Sequence, residues 1–423
     1  MSICTSVTVL VAACLLYACG GGGGGGSSSS SATTPVNPPT SSSGNVATLV
    51  VDSGPAGLGY VSDNVAFVTM TVCAPGSTSV CQTIDHILVD TGSVGVRIQA
   101  AALSSALLTG LPSQTDSLSR PVGECLQFIS SYVWGSIRKA DLQIAGEQSS
   151  GIPVQVIGDP GFAGVPSACA SSGGTQQNTV ASFGANGIIG IGAFTNDCGS
   201  VCSNGPTSSA GYPYYACTGS SSASCVKIAQ GASASAPNQQ VPNPVSTFPV
   251  DNNGTIITLP SVSGSGQASV VGTLTFGIGT QSNNALGSAQ ILPLSTATGY
   301  ITTVLNGVTA NASYIDSGTS VYSFRDTLIT SCVVGHYTFF CPSAPQTLSA
   351  SLRGNSGPSA TVTFTVANAA AMDYNLSVLP QLAMPKLLSS DFAWGLPFFY
   401  GRSVYTAISG ASTPQGNGPY VAF

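Results

Sequence analysis

From residue 46 onward, short apolar runs alternate with clusters of Gly, Pro, Asn and Ser. Runs of this length between turn residues predict β-strands. One segment differs, because Arg97 to Leu108 places apolar and small residues on one face at helical spacing and therefore predicts a helix. The predicted strands cover residues 46–51, 65–72, 84–89, 137–144, 152–157, 268–276, 291–294, 300–305, 360–366 and 398–408.

Composition supports an all-β protein. Charged residues make up 6% of the 423 residues, against roughly 25% in ordinary soluble domains, so the residues that favour helices are scarce. The net charge of −6 excludes a basic nucleic-acid-binding surface. A serine hydrolase is poorly supported, because His86 and His336 are the two histidines and no nucleophile elbow is paired with either of them.

The N-terminal segment reads as an export signal followed by a tether. Residues 3–17 are mostly apolar and end in Leu-Tyr-Ala before Cys19, which resembles a lipoprotein cleavage site. Cys14 offers a second, shorter match. Residues 20–43 carry no charge and are rich in Gly, Ser, Thr and Pro. We predict a signal peptide over 1–18, a lipid anchor at Cys19, a tether over 19–45, and export to the cell envelope, at the outer membrane or in the periplasm.

Ten cysteines follow the predicted signal, an even number that predicts disulfides in an oxidising compartment. Cys198 and Cys202 could instead form half of a zinc site or a redox pair, but their Ser/Gly/Pro-rich surroundings disfavour that reading. We predict no metal and no cofactor. The close pairs favoured for local bridges are Cys73 with Cys81, Cys217 with Cys225, and Cys332 with Cys341.

Two tetrapeptides carry the candidate chemistry. Asp90-Thr91-Gly92-Ser93 and Asp316-Ser317-Gly318-Thr319 each follow an apolar strand. A single copy is often no more than a turn that ends a strand, but two copies in a chain with few acids are harder to explain in that way. Peptide hydrolysis by activated water needs a base and an acid. Two carboxylates that share one proton supply both, as in the aspartic proteases that serve as the standard example of this arrangement.

With these motifs the chain resembles the pepsin-like aspartic proteases, as a distant bacterial lipoprotein-type branch of uncharacterised function. Residues 186–192 and 393–395 resemble the apolar-apolar-Gly segments which that family threads behind each catalytic loop, and residues 396–408 resemble its closing strands. The resemblance implies a bilobal double β-barrel with Asp90 and Asp316 as the catalytic pair, oriented by Thr91, Gly92, Ser93, Ser317, Gly318 and Thr319. The lobes would span 46–282, with a Cys-rich surface excursion at 195–248, and 283–423.

The family also closes a hairpin flap, tipped by a tyrosine, over its substrate. The nearest match is Tyr132, with Trp134 as the alternative, although both can simply pack on the sheet. His86 lies four residues before Asp90 on the same strand face. It either tunes the pair or, as we favour, is a solvated strand histidine. His336 is expected in a loop that is held by neighbouring cysteines.

The predicted function is that of an aspartic-type endopeptidase acting on a peptide or unfolded protein, monomeric and without a nucleic-acid partner. The alternative is a catalytically silent envelope lipoprotein that binds a peptide or polymer ligand with the same fold.

Overall fold

The structure is a computed structural model that describes residues 44–423, apart from 129, 172–173, 200–201, 203–212, 220, 222–223 and 229–238. The predicted signal peptide, Cys19 and almost all of the predicted tether lie outside the described residues.

Strands dominate both halves of the chain, and each of the ten predicted strand segments overlaps an observed strand. The strands of the first part are β1 (Val46–Val51), β2 (Ala66–Cys73), β3 (Cys81–Asp90), β4 (Val94–Gln99), β5 (Val122–Gln127), β6 (Ser131–Ile144), β7 (Glu147–Ile157), β8 (Thr175–Gln176), β9 (Gly187–Ile191), β10 (Tyr214–Cys217), β11 (Cys225–Lys227), β12 (Gly254–Leu259) and β13 (Val270–Phe276). Those of the second part are β14 (Ile291–Pro293), β15 (Ile301–Leu305), β16 (Val308–Ile315), β17 (Tyr322–Phe324), β18 (Ser331–Val334), β19 (Tyr337–Phe340), β20 (Gln346–Arg353), β21 (Ser359–Val366), β22 (Ala383–Pro385), β23 (Asp391–Trp394), β24 (Arg402–Ala407), β25 (Ser412–Thr413), β26 (Gly416–Asn417) and β27 (Tyr420–Ala422).

Helices are few and short in the described part of the chain. The α-helices are α1 (Ser105–Gly110), α2 (Ser167–Ala170) and α3 (Val180–Phe183), and single 3-10 turns lie at Ala100–Ala102, Pro160–Phe162, Pro244–Thr247, Ala369–Ala371 and Leu396–Phe398. The all-β fold class is therefore confirmed.

The first lobe is a closed barrel of six strands. Its strands follow the order β6, β7, β4, β9, β3 and β2, and β2 pairs back with β6 through Thr71–Cys73 and Asp141–Gln143 to close the ring. Closure leaves no free edge among these six strands.

The second lobe is a half-barrel, with the strand order β21, β20, β15, β16, β23, β17 and β22. Between the lobes runs a sheet in which β1, β13, β12, β24, β27 and β14 pair in that order. The last long strand of the chain, β24, pairs along its whole length with β12 of the first part. This inter-lobe sheet is continuous with the barrel of the first lobe and takes in the C-terminal strands β24 and β27. The bilobal double-barrel architecture is confirmed.

The predicted helix from Arg97 to Leu108 is wrong over its first half. Arg97 to Gln99 belong to β4, which pairs with β7 and β9, and α1 begins only at Ser105, capped by the Ser104 hydroxyl. The reason is tertiary. Arg97 is fully buried in an ion pair with Glu124, 2.7 Å away, and with Asp197, 3.1 Å away, and this contact outweighs the local helical pattern.

That same contact ties the Cys-rich segment 195–248 to the core. Asp197 also accepts a hydrogen bond from the buried Tyr214 hydroxyl, and β10 pairs with β5. Val245 and Phe248 pack in the main hydrophobic cluster. Its strand β10 and its residues Val245 and Phe248 are therefore packed in the protein interior, whereas residues 218, 219 and 221 are exposed, and the surface excursion stays a prediction.

Five disulfides connect the ten cysteines that follow the predicted signal. The three predicted pairs, Cys73–Cys81, Cys217–Cys225 and Cys332–Cys341, are confirmed. Cys198 and Cys202 are bonded to each other rather than arranged as zinc ligands. The fifth bridge, Cys125–Cys169, spans 44 residues and was not predicted.

Candidate active site

Asp90 is the last residue of β3, and the strands around it explain its position. β9 pairs in parallel with β3, which brings Gly190 opposite Asp90. β9 also pairs antiparallel with β4, the strand that follows the Asp90 loop. The loop that carries Asp90 is therefore held on both sides by one buried strand. This is the predicted segment 186–192 threaded behind the loop.

Asp316 follows β16 in the same arrangement. β23 pairs in parallel with β16 and antiparallel with β17, and the backbone N–H of Asp316 donates to the Trp394 carbonyl, 2.9 Å away. Gly395 continues this strand so close to the loop that a Cβ there would lie 2.2 Å from the Val321 carbonyl oxygen and 2.4 Å from that of Thr319. The second predicted segment, 393–395, is thus also observed.

Within each loop the carboxylate is held by the third and fourth residues of the motif. The Gly92 N–H donates to Asp90 Oδ1 at 2.7 Å, and the Ser93 hydroxyl donates to Asp90 Oδ2. In the second loop, the Gly318 N–H donates to Asp316 Oδ1 at 2.8 Å and the Thr319 hydroxyl donates to Oδ2 at 2.7 Å. The two carboxylates therefore have equivalent partners.

The middle hydroxyls join the two loops to each other. The Thr91 N–H donates to Ser317 Oγ at 3.1 Å, and the Ser317 N–H donates to Thr91 Oγ1 at 3.0 Å. Each hydroxyl then donates to a carbonyl of the opposite strand, Thr91 to Ile315 at 3.2 Å and Ser317 to Val89 at 2.7 Å. Four reciprocal bonds fix the distance between the loops.

The carboxyl groups face each other at this junction. Both aspartates have no exposed surface. A Cβ on Gly92 would lie 2.6 Å from the Asp316 carboxyl carbon, and one on Gly318 would lie 2.7 Å from that of Asp90. Each glycine therefore packs against the opposite carboxyl group, and this contact requires that it have no side chain.

Burial, together with the charge and hydrogen bond of Asp90, raises the pKa of Asp316 well above its usual range. Two carboxyl groups in contact with each other cannot both ionise at low cost, so the contact with Asp90 favours the protonated form of Asp316. The pair thus presents one proton donor and one proton acceptor at the same point, which is what water-mediated hydrolysis requires.

A family model for proteins of unknown function, DUF3443, matches residues 41–423. This match covers both lobes and both Asp-hydroxyl-Gly loops. The chain belongs to the DUF3443 family. A search of curated proteins found no match.

The flap candidates of this DUF3443 protein lie on β6, just after the turn that joins β5 to β6. Trp134 is buried, packs on Phe162 and Tyr215, and donates its indole N–H to the Phe162 carbonyl at 2.7 Å. It therefore packs on the sheet. Tyr132 pairs with Gln127 beside the hairpin turn and lies in the same buried cluster, so its role as a flap residue stays a prediction.

His86 is bound to carboxylates other than the candidate pair. Its Nε2 lies 3.4 Å from Asp52 and its Nδ1 lies 3.2 Å from Asp85. Burial alone would lower the pKa of His86, but the hydrogen bond and charge of Asp52, together with Asp85, raise it. His86 is thus neither fully solvated nor bonded to Asp90. His336 is exposed in the β18–β19 hairpin, which the Cys332–Cys341 disulfide closes.

Two features near the pair were missed by the sequence analysis. Asn64 bonds across the lobes, donating to the Ser320 and Leu379 carbonyls at 2.8 Å and accepting from the Tyr400 hydroxyl. Lys386 donates to the Tyr314 hydroxyl beside the Asp316 strand. Neither residue lies in a recognisable motif. The position of Tyr314, two residues before Asp316, was the one feature of the sequence that could have pointed to this contact.

The five disulfides indicate an extracellular or periplasmic protein, because such bonds persist in oxidising compartments. Among the described helices, none has the length and apolar character to cross a membrane. In the same part of the chain, no three His, Cys, Asp or Glu side chains gather in a manner suited to a metal ion.

Proposed function

We propose that this protein is an aspartic-type endopeptidase that hydrolyses peptide bonds with water activated between Asp90 and Asp316. The observation that carries the proposal is the pair of buried carboxyl groups which face each other from two equivalent loops. The resemblance of both loops, and of the strands behind them, to pepsin-like proteases supports it.

The raised pKa of Asp316 assigns it the shared proton before reaction. Asp316 would donate a hydrogen bond to the scissile carbonyl oxygen while Asp90 accepts a proton from water. The water oxygen then forms a bond to the carbonyl carbon. The proton taken from water passes to the departing amine as the C–N bond breaks, which leaves a carboxylic acid and an amine. Activity needs the singly protonated pair, so we expect a bell-shaped pH profile on the acid side.

The test compares wild type with Asp90→Asn and Asp316→Asn on an unfolded protein substrate between about pH 3 and 7. Because each substitution removes one member of the proton relay, either should lower turnover by at least about 10³-fold, and the double variant should be no worse. Asp52→Asn is the matched control. It also replaces the Asp of an Asp-Ser-Gly turn, but Asp52 bonds to His86 and not to the pair, so its activity should be unchanged.

Equal cleavage by wild type and both variants would refute the pair as the catalytic centre. A pure wild-type protein that cleaves nothing, while still binding peptides, would favour the catalytically silent binding protein instead.

We also propose that Cys19, outside the described residues, carries a lipid anchor in the cell envelope. The support is the lipoprotein-type sequence before Cys19 and the uncharged stretch after it. Mass spectrometry of the exported protein should find an acylated N-terminal Cys19, and Cys19→Ala should release the protein from membranes or halt its processing. A soluble wild-type protein with a free N-terminus would contradict the anchor.

A further inference from the structure

Lys386 lies beside β16, the strand that leads into Asp316. It follows β22, and its backbone N–H donates to the Phe324 carbonyl at 2.8 Å. Its ammonium group donates to the Tyr314 hydroxyl at 3.1 Å and lies 5.1 Å from the centre of the Tyr314 ring. Both side chains are half-buried.

Tyr314 places this contact next to Asp316. The two residues are separated by one position at the end of β16, so they share a face of the strand. The Tyr314 ring packs on Tyr300, with ring centres 6.1 Å apart. Burial and the charge of Asp316 raise the pKa of Tyr314, which keeps its hydroxyl neutral. Lys386 and Tyr314 thus both lie within electrostatic range of Asp316.

The charge state of Lys386 follows from its neighbours. Burial lowers its pKa, while the charges of Asp391 and Asp316 raise it. Asp391 is itself bonded by the Ser390 hydroxyl at 2.9 Å. None of the ion pairs formed by the described residues includes Lys386. An ammonium has three N–H donors, and the Tyr314 hydroxyl takes one of them.

A substrate that covers Lys386 removes water from the remaining donors. Desolvating a polar group without a new hydrogen-bond partner costs free energy, so a substrate that lacks an acceptor at this position is disfavoured. A carboxylate is the best acceptor, because the bond is then charge-assisted on both sides. For the same reason, a site that hydrogen-bonds a polar group of its substrate strongly rejects analogues that lack this group.

We propose that Lys386, with Tyr314, is a specificity-determining site that binds a carboxylate of the substrate close to the scissile bond. This inference rests on the proposed peptidase function and names its substrate class, a peptide that presents an acidic group at this position. The carboxylate is either an Asp or Glu side chain or the C-terminus of a short peptide, since Lys386 would recognise both by the same chemistry.

The test measures binding to the mature chain carrying Asp90→Asn, so that no peptide is consumed. Fluorescence anisotropy compares peptides with Glu or Gln at each position flanking one hydrophobic dipeptide, each made with a free and with an amidated C-terminus. We expect one Glu position, or the free C-terminus, to bind at least about tenfold more tightly than its neutral counterpart. The position identifies the source of the carboxylate.

Lys386→Met in the same background should erase this preference, and Lys386→Arg should keep most of it. Lys386→Glu should reverse it in favour of a Lys-containing peptide. Lys227→Met, a partly exposed lysine on β11, is the matched control and should leave the preference intact. Melting temperatures establish that each variant is folded.

Equal binding of all neutral and acidic peptides by the Lys386-containing protein would overturn the inference, whatever the variants do. A preference that survives in folded Lys386→Met would also overturn it. A separate assay measures whether the wild-type protein cleaves an unfolded protein. A working peptidase without acidic preference refutes the role of Lys386 alone, and acidic binding without cleavage refutes the peptidase alone.

Discussion

Three Asp-hydroxyl-Gly turns follow strands in this protein, and comparing them shows what makes two of them a site. Asp52-Ser53-Gly54 follows β1 just as Asp90-Thr91-Gly92 closes β3 and Asp316-Ser317-Gly318 follows β16. The local geometry is the same, because in each turn the glycine N–H donates to the Asp Oδ1, at 2.9, 2.7 and 2.8 Å respectively.

The surroundings differ. The Asp52 side chain is 31% exposed and lies by His86. Burial alone would raise its pKa, but the hydrogen bonds from His86 and the Gly54 N–H, with the charge of His86, lower it. Asp316 is fully buried against another carboxyl group, and its pKa is raised. The turn holds a carboxylate in place, and the neighbouring charge decides whether that carboxylate is a stable anion or a proton donor.

After the aspartates themselves, the largest expected effect concerns the glycines that face the opposite carboxyl groups. Gly92→Ala or Gly318→Ala would place a Cβ 2.6 to 2.7 Å from an aspartate carboxyl group, which must move. Since a displacement of about 1 Å at reacting groups costs on the order of 10²-fold in rate, we expect at least that loss of turnover from either variant. The measurement is the rate of peptide cleavage at the pH optimum.

Gly219→Ala is the control for these variants, because its nearest side-chain atom, Ser224 Oγ, would lie 3.8 Å from the new Cβ. It should cleave at the wild-type rate. Full activity in folded Gly92→Ala and Gly318→Ala would mean that close contact of the carboxyl groups is not needed.

A smaller effect is expected from the middle hydroxyls of the three turns. Ser317→Ala leaves the Thr91 N–H and the Val89 carbonyl without their partner, and Thr91→Val does the same to the Ser317 N–H and the Ile315 carbonyl. A buried group left unpaired costs about 1–3 kcal/mol. Urea unfolding should therefore show a loss of this size for each variant.

The double variant should lose less than the sum of the single losses, because the two hydroxyls belong to one network. Ser53→Ala, where the side chain is exposed, should stay within about 0.5 kcal/mol of wild type. Equal losses at Ser53, Thr91 and Ser317 would show that the hydroxyls act only within their own turns.

The comparison also shows how far sequence reasoning reaches. Strand positions were predictable because apolar runs and turn residues are local signals. The pairing of Asp90 with Asp316 was predicted from the two Asp-hydroxyl-Gly-hydroxyl tetrapeptides and from the resemblance that they carry. The third turn shares the tripeptide and also follows an apolar strand, but Pro55 takes its fourth position, so the tripeptide alone does not separate a site from a structural turn. Partners in space separate them, and these lie far apart in sequence.

Arg97 and Lys386 illustrate what a local pattern misses. The Ala-rich stretch after Arg97 favours a helix, but Arg97 is committed to β4 by Glu124 and Asp197, 27 and 100 residues away. Lys386 contacts Tyr314 across 72 residues. The hydrophobic pattern of a sequence cannot predict such contacts, because they depend on which strands become neighbours in the sheet.

The pH dependence of stability should have opposite signs for Asp316 and Asp52. Since the pKa of Asp316 is raised in the folded protein, the folded state binds this proton more tightly than the unfolded chain, and stability falls as pH rises from about 4 through the folded pKa. Asp316→Asn removes that loss. We expect its melting temperature to exceed that of wild type at pH 7, by roughly 1 °C for each kcal/mol recovered, because a chain of 423 residues has a large entropy of unfolding.

At pH 3 or below, both forms are neutral in the folded and unfolded states, and the difference should vanish. A melting temperature for Asp316→Asn that falls below wild type at pH 7 would show that the ionised carboxylate is stabilised by its surroundings and does not share a proton.

Asp52→Asn should lower the stability of the folded protein, the opposite of Asp316→Asn, and its effect should be the smallest. Its lowered pKa contributes stability above the ordinary value of 3.8, which is lost as pH falls through the folded pKa. The raised pKa of His86 contributes stability below the ordinary value of 6.5, which is lost as pH rises through its folded pKa. The ion pair is therefore complete between about pH 4 and 7. Both groups are partly exposed and screened by water, so the loss should be at most about 1 kcal/mol.

Urea unfolding of wild type and Asp52→Asn at pH 3, 5.5 and 9 measures this window, and the difference should peak at pH 5.5. His86→Gln should reproduce the profile, and the double variant should add little to either single change, since both remove one pair. Added salt should shrink the difference, whereas the buried pair at Asp316 should respond to salt far less. If the stability lost in Asp52→Asn is the same at every pH, Asp52 stabilises the protein only through its turn and not through the ion pair with His86. The contrast between the turns would then depend only on the burial and mutual contact of Asp90 and Asp316.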